Sequence, residues 1–309
     1  MRIMGYYRMI VFFFIFLTFD SYSQSQVEDY SFERNGYTVA LSRHFPSNSL
    51  ESGKHILLVH GLTYSSHEFD IKYTDYSVTD FLVSKGYTVW LIDITGYGRS
   101  DRPEDGFAVT SECASQDIVQ ALKLIRQEFN PKELDVLGWS WGTVTSSLAI
   151  GQQPALADKL LLYAPIATGF DGSEPTDSYH TNTWEHAASD FVFTAKGDID
   201  YDIVEPEVAH LFLSNCWKYD QDSSPNGGRA DLMSGSAKKL INLEDVKIPV
   251  LLIAGTADPL LNMKAIEALA KQANVTLKKV EGGSHVLMME KAHYLNFQHS
   301  VLGFLNSKE

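Results

Sequence analysis

The sequence predicts an α/β protein: a mostly parallel sheet with helices on both faces, interrupted by an inserted lobe. Three observations carry this. Short apolar runs of the kind buried on both faces (residues 55–59, 87–93, 134–137, 159–164 and 248–254) alternate with helical stretches. The alternation stops at Pro165 and resumes only at Ile248, and between them lies a stretch rich in Asp, Ser, Gly and aromatic residues without a strand run. Finally, Gly138-Trp-Ser-Trp-Gly142 sits between an apolar run and a small-residue helical stretch, the setting of a sharp strand-to-helix turn.

In order, residues 10–19 (IVFFFIFLTF) form a short apolar core behind Arg2 and Arg8, and Ser21 and Ser23 are small residues ahead of Gln24. This predicts a secretory signal peptide over residues 1–23, too short to span a bilayer, and therefore a secreted or periplasmic protein with cleavage after Ser23. A polar leader follows. Alternation over 37–45 predicts a strand, 76–85 a helix stopped by Gly86, and 115–129 an amphipathic helix ended by Asn130-Pro131. The core is expected over 24–166 and 241–309, with the inserted lobe over 167–240 and a helix near 205–213 within it. Residues 262–272 and 291–305 read as helices around a strand at 275–280.

The 309 residues suffice for one large domain with an insertion, and 44% apolar with 21% charged residues is globular composition. A net charge of −14 without a basic stripe argues against nucleic acid and against docking on anionic membranes. The two cysteines, Cys113 and Cys216, permit one disulfide after export, tying lobe to sheet, but the sequence leaves open whether it forms.

The chemistry centres on Ser140. A serine hydroxyl needs a base. Of ten histidines, His285 follows a strand and Gly282-Gly283-Ser284, a loop able to carry it to the carboxyl edge of the sheet, where ligands of such folds bind. His293 and His299 lie on the last helix. Asp258, after the strand ending near Gly255, is placed to orient that base, although an aspartate there also suits a helix N-cap. His180 and His186 lie close in sequence but lack an evident third ligand, so no metal is expected. Gly96-Tyr97-Gly98 is not a dinucleotide loop, because Asp101 stands where a third glycine belongs, and no cofactor is expected.

Taken together, these motifs resemble the α/β-hydrolase superfamily, in its serine esterase and lipase-like branch, over about residues 38–305. Gly-Trp-Ser140-Trp-Gly resembles its nucleophile elbow, Gly-Thr-Ala-Asp258-Pro its acid and Gly-Gly-Ser-His285 its base, in that chain order. Asp93-Ile-Thr-Gly-Tyr-Gly-Arg-Ser100 resembles a structural turn of the same fold. His60-Gly61-Leu62 resembles its oxyanion turn, which implies the Leu62 and Trp141 backbone N–H groups as the oxyanion hole. Serine in place of aspartate at the elbow rules out an alkyl-enzyme of the epoxide- or halide-displacing relatives, so Trp141, with Trp139, is read as a wall of the pocket.

The resulting expectation is a serine hydrolase cleaving a carboxylic ester of a small apolar or aromatic substrate. The same residues also serve acyltransferases and thioester, lactone or carbon–carbon bond hydrolases, and a non-catalytic binding protein is the remaining alternative. The lobe holds many aromatics and few cations (Lys196, Lys218, Arg229, Lys238 and Lys239), so uncharged esters are expected to be preferred over anionic ones.

Overall fold

The computed structural model describes residues 25–47, 52–220 and 222–307. The expected signal peptide lies outside the described residues. Among the described residues no helix is long and apolar enough to cross a membrane.

The chain begins with a hairpin, β1 (Ser25–Arg34) and β2 (Tyr37–Pro46), paired antiparallel. Its turn is Asn35-Gly36, both at positive φ (53° and 82°), which suits the right-handed strand twist. The expected polar leader is thus a strand. It is mostly exposed, with Tyr30 and Phe32 packed inward, so it lacks the apolar run of a central strand. Then follow β3 (Lys54–Val59), α1 (Val78–Ser84), β4 (Thr88–Asp93), α2 (Ser111–Phe129), β5 (Glu133–Trp139), α3 (Trp141–Gln152) and β6 (Leu160–Tyr163). The Thr110 side chain accepts from Cys113 N at 3.1 Å, so α2 starts four residues ahead of its expected position.

Beyond β6 the lobe carries a two-stranded antiparallel sheet, β7 (Tyr179–Thr181) with β8 (Ser223–Pro225). It also holds α4 (Trp184–Ala188), α5 (Pro206–Asp220) and α6 (Gly227–Leu232). The ends of this segment meet: Leu240 N donates to Ala167 O at 3.0 Å and Gly169 N to Lys238 O at 3.0 Å. The main fold resumes with β9 (Val250–Gly255), α7 (Met263–Leu269), β10 (Val275–Val280) and α8 (Tyr294–Leu305).

The large sheet has eight strands in the order β1-β2-β4-β3-β5-β6-β9-β10, parallel from β4 to β10. Side chains of α2, α3 and α7 (Ile118, Val144, Ile266) join the core on one face. Those of α1 and α8 (Leu82, Phe297) join the core on the other. This is a mostly parallel α/β sheet covered on both faces, with a lobe over the carboxyl ends of its strands.

Candidate active site

Ser140 follows β5 and precedes α3 at φ 54°, ψ −119°, a backbone conformation that costs an L-residue on the order of 1–3 kcal/mol. The turn closes only because its neighbours lack side chains. A Cβ on Gly138 would lie 2.2 Å from Gly142 O, and one on Gly142 would lie 2.4 Å from Val59 O. Ser140 N donates to Tyr163 O at 3.0 Å, tying the turn to β6. The strain thus holds a half-buried hydroxyl at the sheet's carboxyl edge, on the wall of a cavity of about 520 Å³.

His285 reaches the same cavity on the loop after β10. Its Nδ1 is 2.7 Å from Asp258 Oδ2, and both residues are buried. Asp258 Oδ1 accepts from Leu260 N at 2.9 Å, so the carboxylate cannot swing away without losing a second contact. The two loops are stitched together: Ala257 N donates to Gly283 O at 3.0 Å and Gly282 N to Thr256 Oγ1 at 2.9 Å. The His285 carbonyl accepts from Tyr163 OH at 2.7 Å and Trp139 Nε1 at 3.2 Å. Serine and histidine therefore line one cavity, with the aspartate bonded to the histidine, although 118 positions separate Ser140 from Asp258 and 27 separate Asp258 from His285.

On the opposite side, the turn after β3 is held by two buried side chains. Glu68 Oε1 accepts from Gly61 N at 2.5 Å, and His60 Nδ1 lies 2.7 Å from Gly61 O. Ile94 N donates to His60 Nε2 at 3.1 Å, which leaves the proton on Nδ1 for Gly61. Burial lowers the His60 pKa, in keeping with that neutral form. A trans peptide sets C=O and N–H on opposite sides, so fixing Gly61 O also fixes the direction of Leu62 N–H. Neither Leu62 N nor Trp141 N has a hydrogen-bond partner among the described residues.

The structure corrects one expectation, answers one question the sequence left open and qualifies a third reading. Trp139 and Leu62 line the cavity, but Trp141 does not. Trp141 is fully buried, its Nε1 donates to Ser111 Oγ at 2.9 Å, and its ring seats against α6, where a Cβ on Gly228 would lie 2.6 Å from it. Cys113 and Cys216 are free thiols. Cys113 Sγ accepts from Arg34 Nη2 at 2.8 Å beside α2, whereas Cys216 is buried with the core of the other sheet face. Finally, Arg229, one of the few lobe cations, lines the cavity.

His180 and His186 are in contact with ring centres 4.5 Å apart and planes tilted at 55°, and no group of three potential metal ligands occurs among the described residues. The Asp93–Ser100 turn is built around the buried Asp93 carboxylate, which accepts from Ser66 and Arg99. A Cβ on Gly98, at φ 53°, would strike it at 2.6 Å.

Three cavity residues escaped the sequence reading. Glu68 sits in a polar loop with no motif, and burial pushes its carboxyl well above the usual range. Asp190, after α4, is pushed up to about 6 by burial, opposed by the attraction of His285. Arg229 had a readable signal in Gly227-Gly228 before it, since paired glycines in an aromatic-rich lobe mark close packing.

Comparison with known proteins agrees with this geometry. The profile of the family described as serine aminopeptidase, S33, matches residues 51–292. Bovine (Bos taurus) gastric triacylglycerol lipase is 28% identical over 149 residues, covering 43% of this chain and 38% of the lipase. Mouse (Mus musculus) lipase member K is 29% identical over 124 residues, 37% of this chain and 31% of that protein. The chain thus matches well under half the length of these relatives. Among solved structures, a 2-hydroxy-6-oxo-6-phenylhexa-2,4-dienoate hydrolase from Rhodococcus sp. strain RHA1 superposes with TM-score 0.65 at 14% identity, covering 92% of this chain and all of that one. A carboxylesterase study of Nitrososphaera gargenis gives a structure with TM-score 0.63 at 16% identity, covering 90% of this chain and 97% of its own. At such identity these two show the shared fold. The chain belongs to the family described as serine aminopeptidase, S33, within the α/β-hydrolase superfamily.

Proposed function

We propose that the protein is an exported hydrolase of carboxylic esters with a small apolar or aromatic body, working through an acyl-enzyme on Ser140. The observation that carries this reading is the His285–Asp258 pair, 2.7 Å apart, on the same cavity as a serine held in a strained turn. In this mechanism Ser140 Oγ attacks the ester carbonyl carbon as its proton passes to His285 Nε2. Asp258 holds the Nδ1 proton and stabilises the imidazolium. Leu62 N–H and Trp141 N–H receive the oxyanion, each worth about 3–4 kcal/mol where such donors have been removed. Collapse expels the alcohol, protonated by His285. A water then enters, gives its proton to His285 and attacks the acyl-enzyme, releasing the acid and restoring Ser140.

The cavity supports the substrate class. Its volume is typical of small-molecule sites, and Leu62, Trp139, Ile166, Phe170 and Phe191 give it apolar walls. The lobe over 167–240 acts as the lid, and residues 1–23 direct export. A second reading, release of an N-terminal residue from a peptide, is favoured by Asp190 on the cavity wall, a carboxylate able to receive a substrate ammonium. A fluorophosphonate probe should label the wild type at Ser140 and not Ser140→Ala, and a panel of esters and amino-acid 4-nitroanilides ranks the two readings. Labelling that persists in Ser140→Ala, or turnover unaffected by that change, overturns the proposal.

A further inference from the structure

The cavity is lined by an arginine bonded only to neutral groups among the described residues. Arg229 is half-buried, and its described partners are neutral: Nη1 donates to Asn226 Oδ1 at 2.8 Å and Nη2 to Thr63 Oγ1 at 2.9 Å. Among the described residues it forms no ion pair. Burial lowers its pKa, the direction expected of a guanidinium taken from water without an anion beside it. Removing a guanidinium from water without an anion is costly, and such groups are ordinarily paired.

Two histidines adjoin this arginine. His186 shares the cavity wall, His180 lies behind it with the two rings tilted at 55°, and His180 Nε2 is buried with no hydrogen-bond partner among the described residues. Burial, reinforced by the Arg229 charge, holds both imidazoles in the neutral form, His180 down to about 4. The cluster therefore presents one permanent positive charge and neutral donors, a match for a monoanion rather than a phosphate dianion.

Resting on the serine-hydrolase reading, we propose that Arg229, flanked by His186 and His180, is an anion subsite of the cavity, and that the natural substrate carries a carboxylate besides its ester. The planar guanidinium fork suits a carboxylate, and the apolar walls take the rest of the molecule. This reverses the preference for uncharged esters expected from lobe composition. One cation inside a cavity decides more than the net charge outside it, where bulk ions screen.

Thr63 makes the test sharper. It follows Leu62, sits at φ 94°, and accepts from Arg229, so the guanidinium could instead serve only as a brace for the oxyanion turn. Two matched ester pairs separate the roles: 4-nitrophenyl hydrogen glutarate against 4-nitrophenyl pentanoate, and 4-acetoxybenzoate against 4-acetoxybenzamide, with the charge on the acyl and alcohol sides respectively. In at least one pair the wild type should prefer the anion in kcat/KM. Arg229→Gln should lower the anionic-to-neutral ratio in that pair by about 50-fold, chiefly through KM, with Arg229→Lys between the two. Preference for the neutral member in both pairs overturns the proposal. So does an equal loss for both members, which marks a brace. If Arg229→Gln does not fold, calorimetry on Ser140→Ala decides, with 4-phenylbutanoate expected to bind more tightly than 4-phenylbutanamide and equal or weaker binding overturning the subsite. Persistent turnover by Ser140→Ala would remove the hydrolase reading while leaving this binding comparison intact.

Discussion

Asp258 uses its two oxygens for different tasks, one on His285 and one on the backbone at Leu260. Asn in its place can keep the backbone contact but presents an amide to the imidazole and favours the wrong tautomer. Asp258→Asn is therefore expected to lower kcat by on the order of 10⁴ with little change in stability, as steady-state kinetics and thermal melts would read. Near-full activity would shift the orienting role to another carboxyl, with Asp190 and Glu68 on the same wall. Ser140, Asp258 and His285 were legible because each follows an apolar run through glycine or proline, punctuation that survives in sequence. Trp141 was misread because its letter lies beside the serine while its ring belongs to the packing of α6 on the sheet. Glu68 was not legible as a site residue, and Arg229 only through the glycine pair before it, since what makes them so is burial beside partners 7 and 166 positions away.

Within β5, Asp135 is fully buried and neither carboxyl oxygen has a hydrogen-bond partner among the described residues. Burial pushes its carboxyl up to about 7, with the Lys159 charge opposing. In the unfolded chain the ordinary value is about 3.9. Between those values the folded state holds a proton that the unfolded state has lost. The group's stabilisation is complete below about pH 4 and is lost as pH rises toward 7, a swing of about 4 kcal/mol. Asp135→Asn should thus raise the melting temperature at pH 8 by about 5 °C and lose that advantage near pH 4. A variant less stable than wild type at pH 8 would show that the carboxylate has a partner. The central strands were legible from unbroken apolar runs, whereas β1 was not, because an edge strand shows water most of its residues. Its Asn35-Gly36 turn was a local signal in plain view.

At the scale of the molecule, the two thiols lie with separate cores on opposite faces of the sheet. Thiol titration of the denatured, non-reduced protein should count two per chain, and reductant should leave the melting temperature unchanged. A count of zero would contradict the separation seen here. The layered architecture was readable because the alternation of strand and helix is a property of long stretches. The lobe was readable only as an interruption: the short β7–β8 pair and the full length of α5 rest on contacts between distant segments and leave little periodicity behind.

The lobe leaves and re-enters the main fold at one spot, its ends joined by the backbone hydrogen bonds of Leu240 to Ala167 and Gly169 to Lys238. An excursion whose ends touch can be lengthened, shortened or exchanged for another without displacing a strand. Descent can therefore remodel what this chain accepts while the bond-breaking apparatus is inherited intact. The link from Arg229 to Thr63 is one of several exceptions, with those of Asp220 to Ser65 and Gly98 and of Asp231 to Ser111, points where a replacement lobe inherits an obligation to the older half. Grafts that meet those obligations should be the ones that transplant cleanly between members of this lineage.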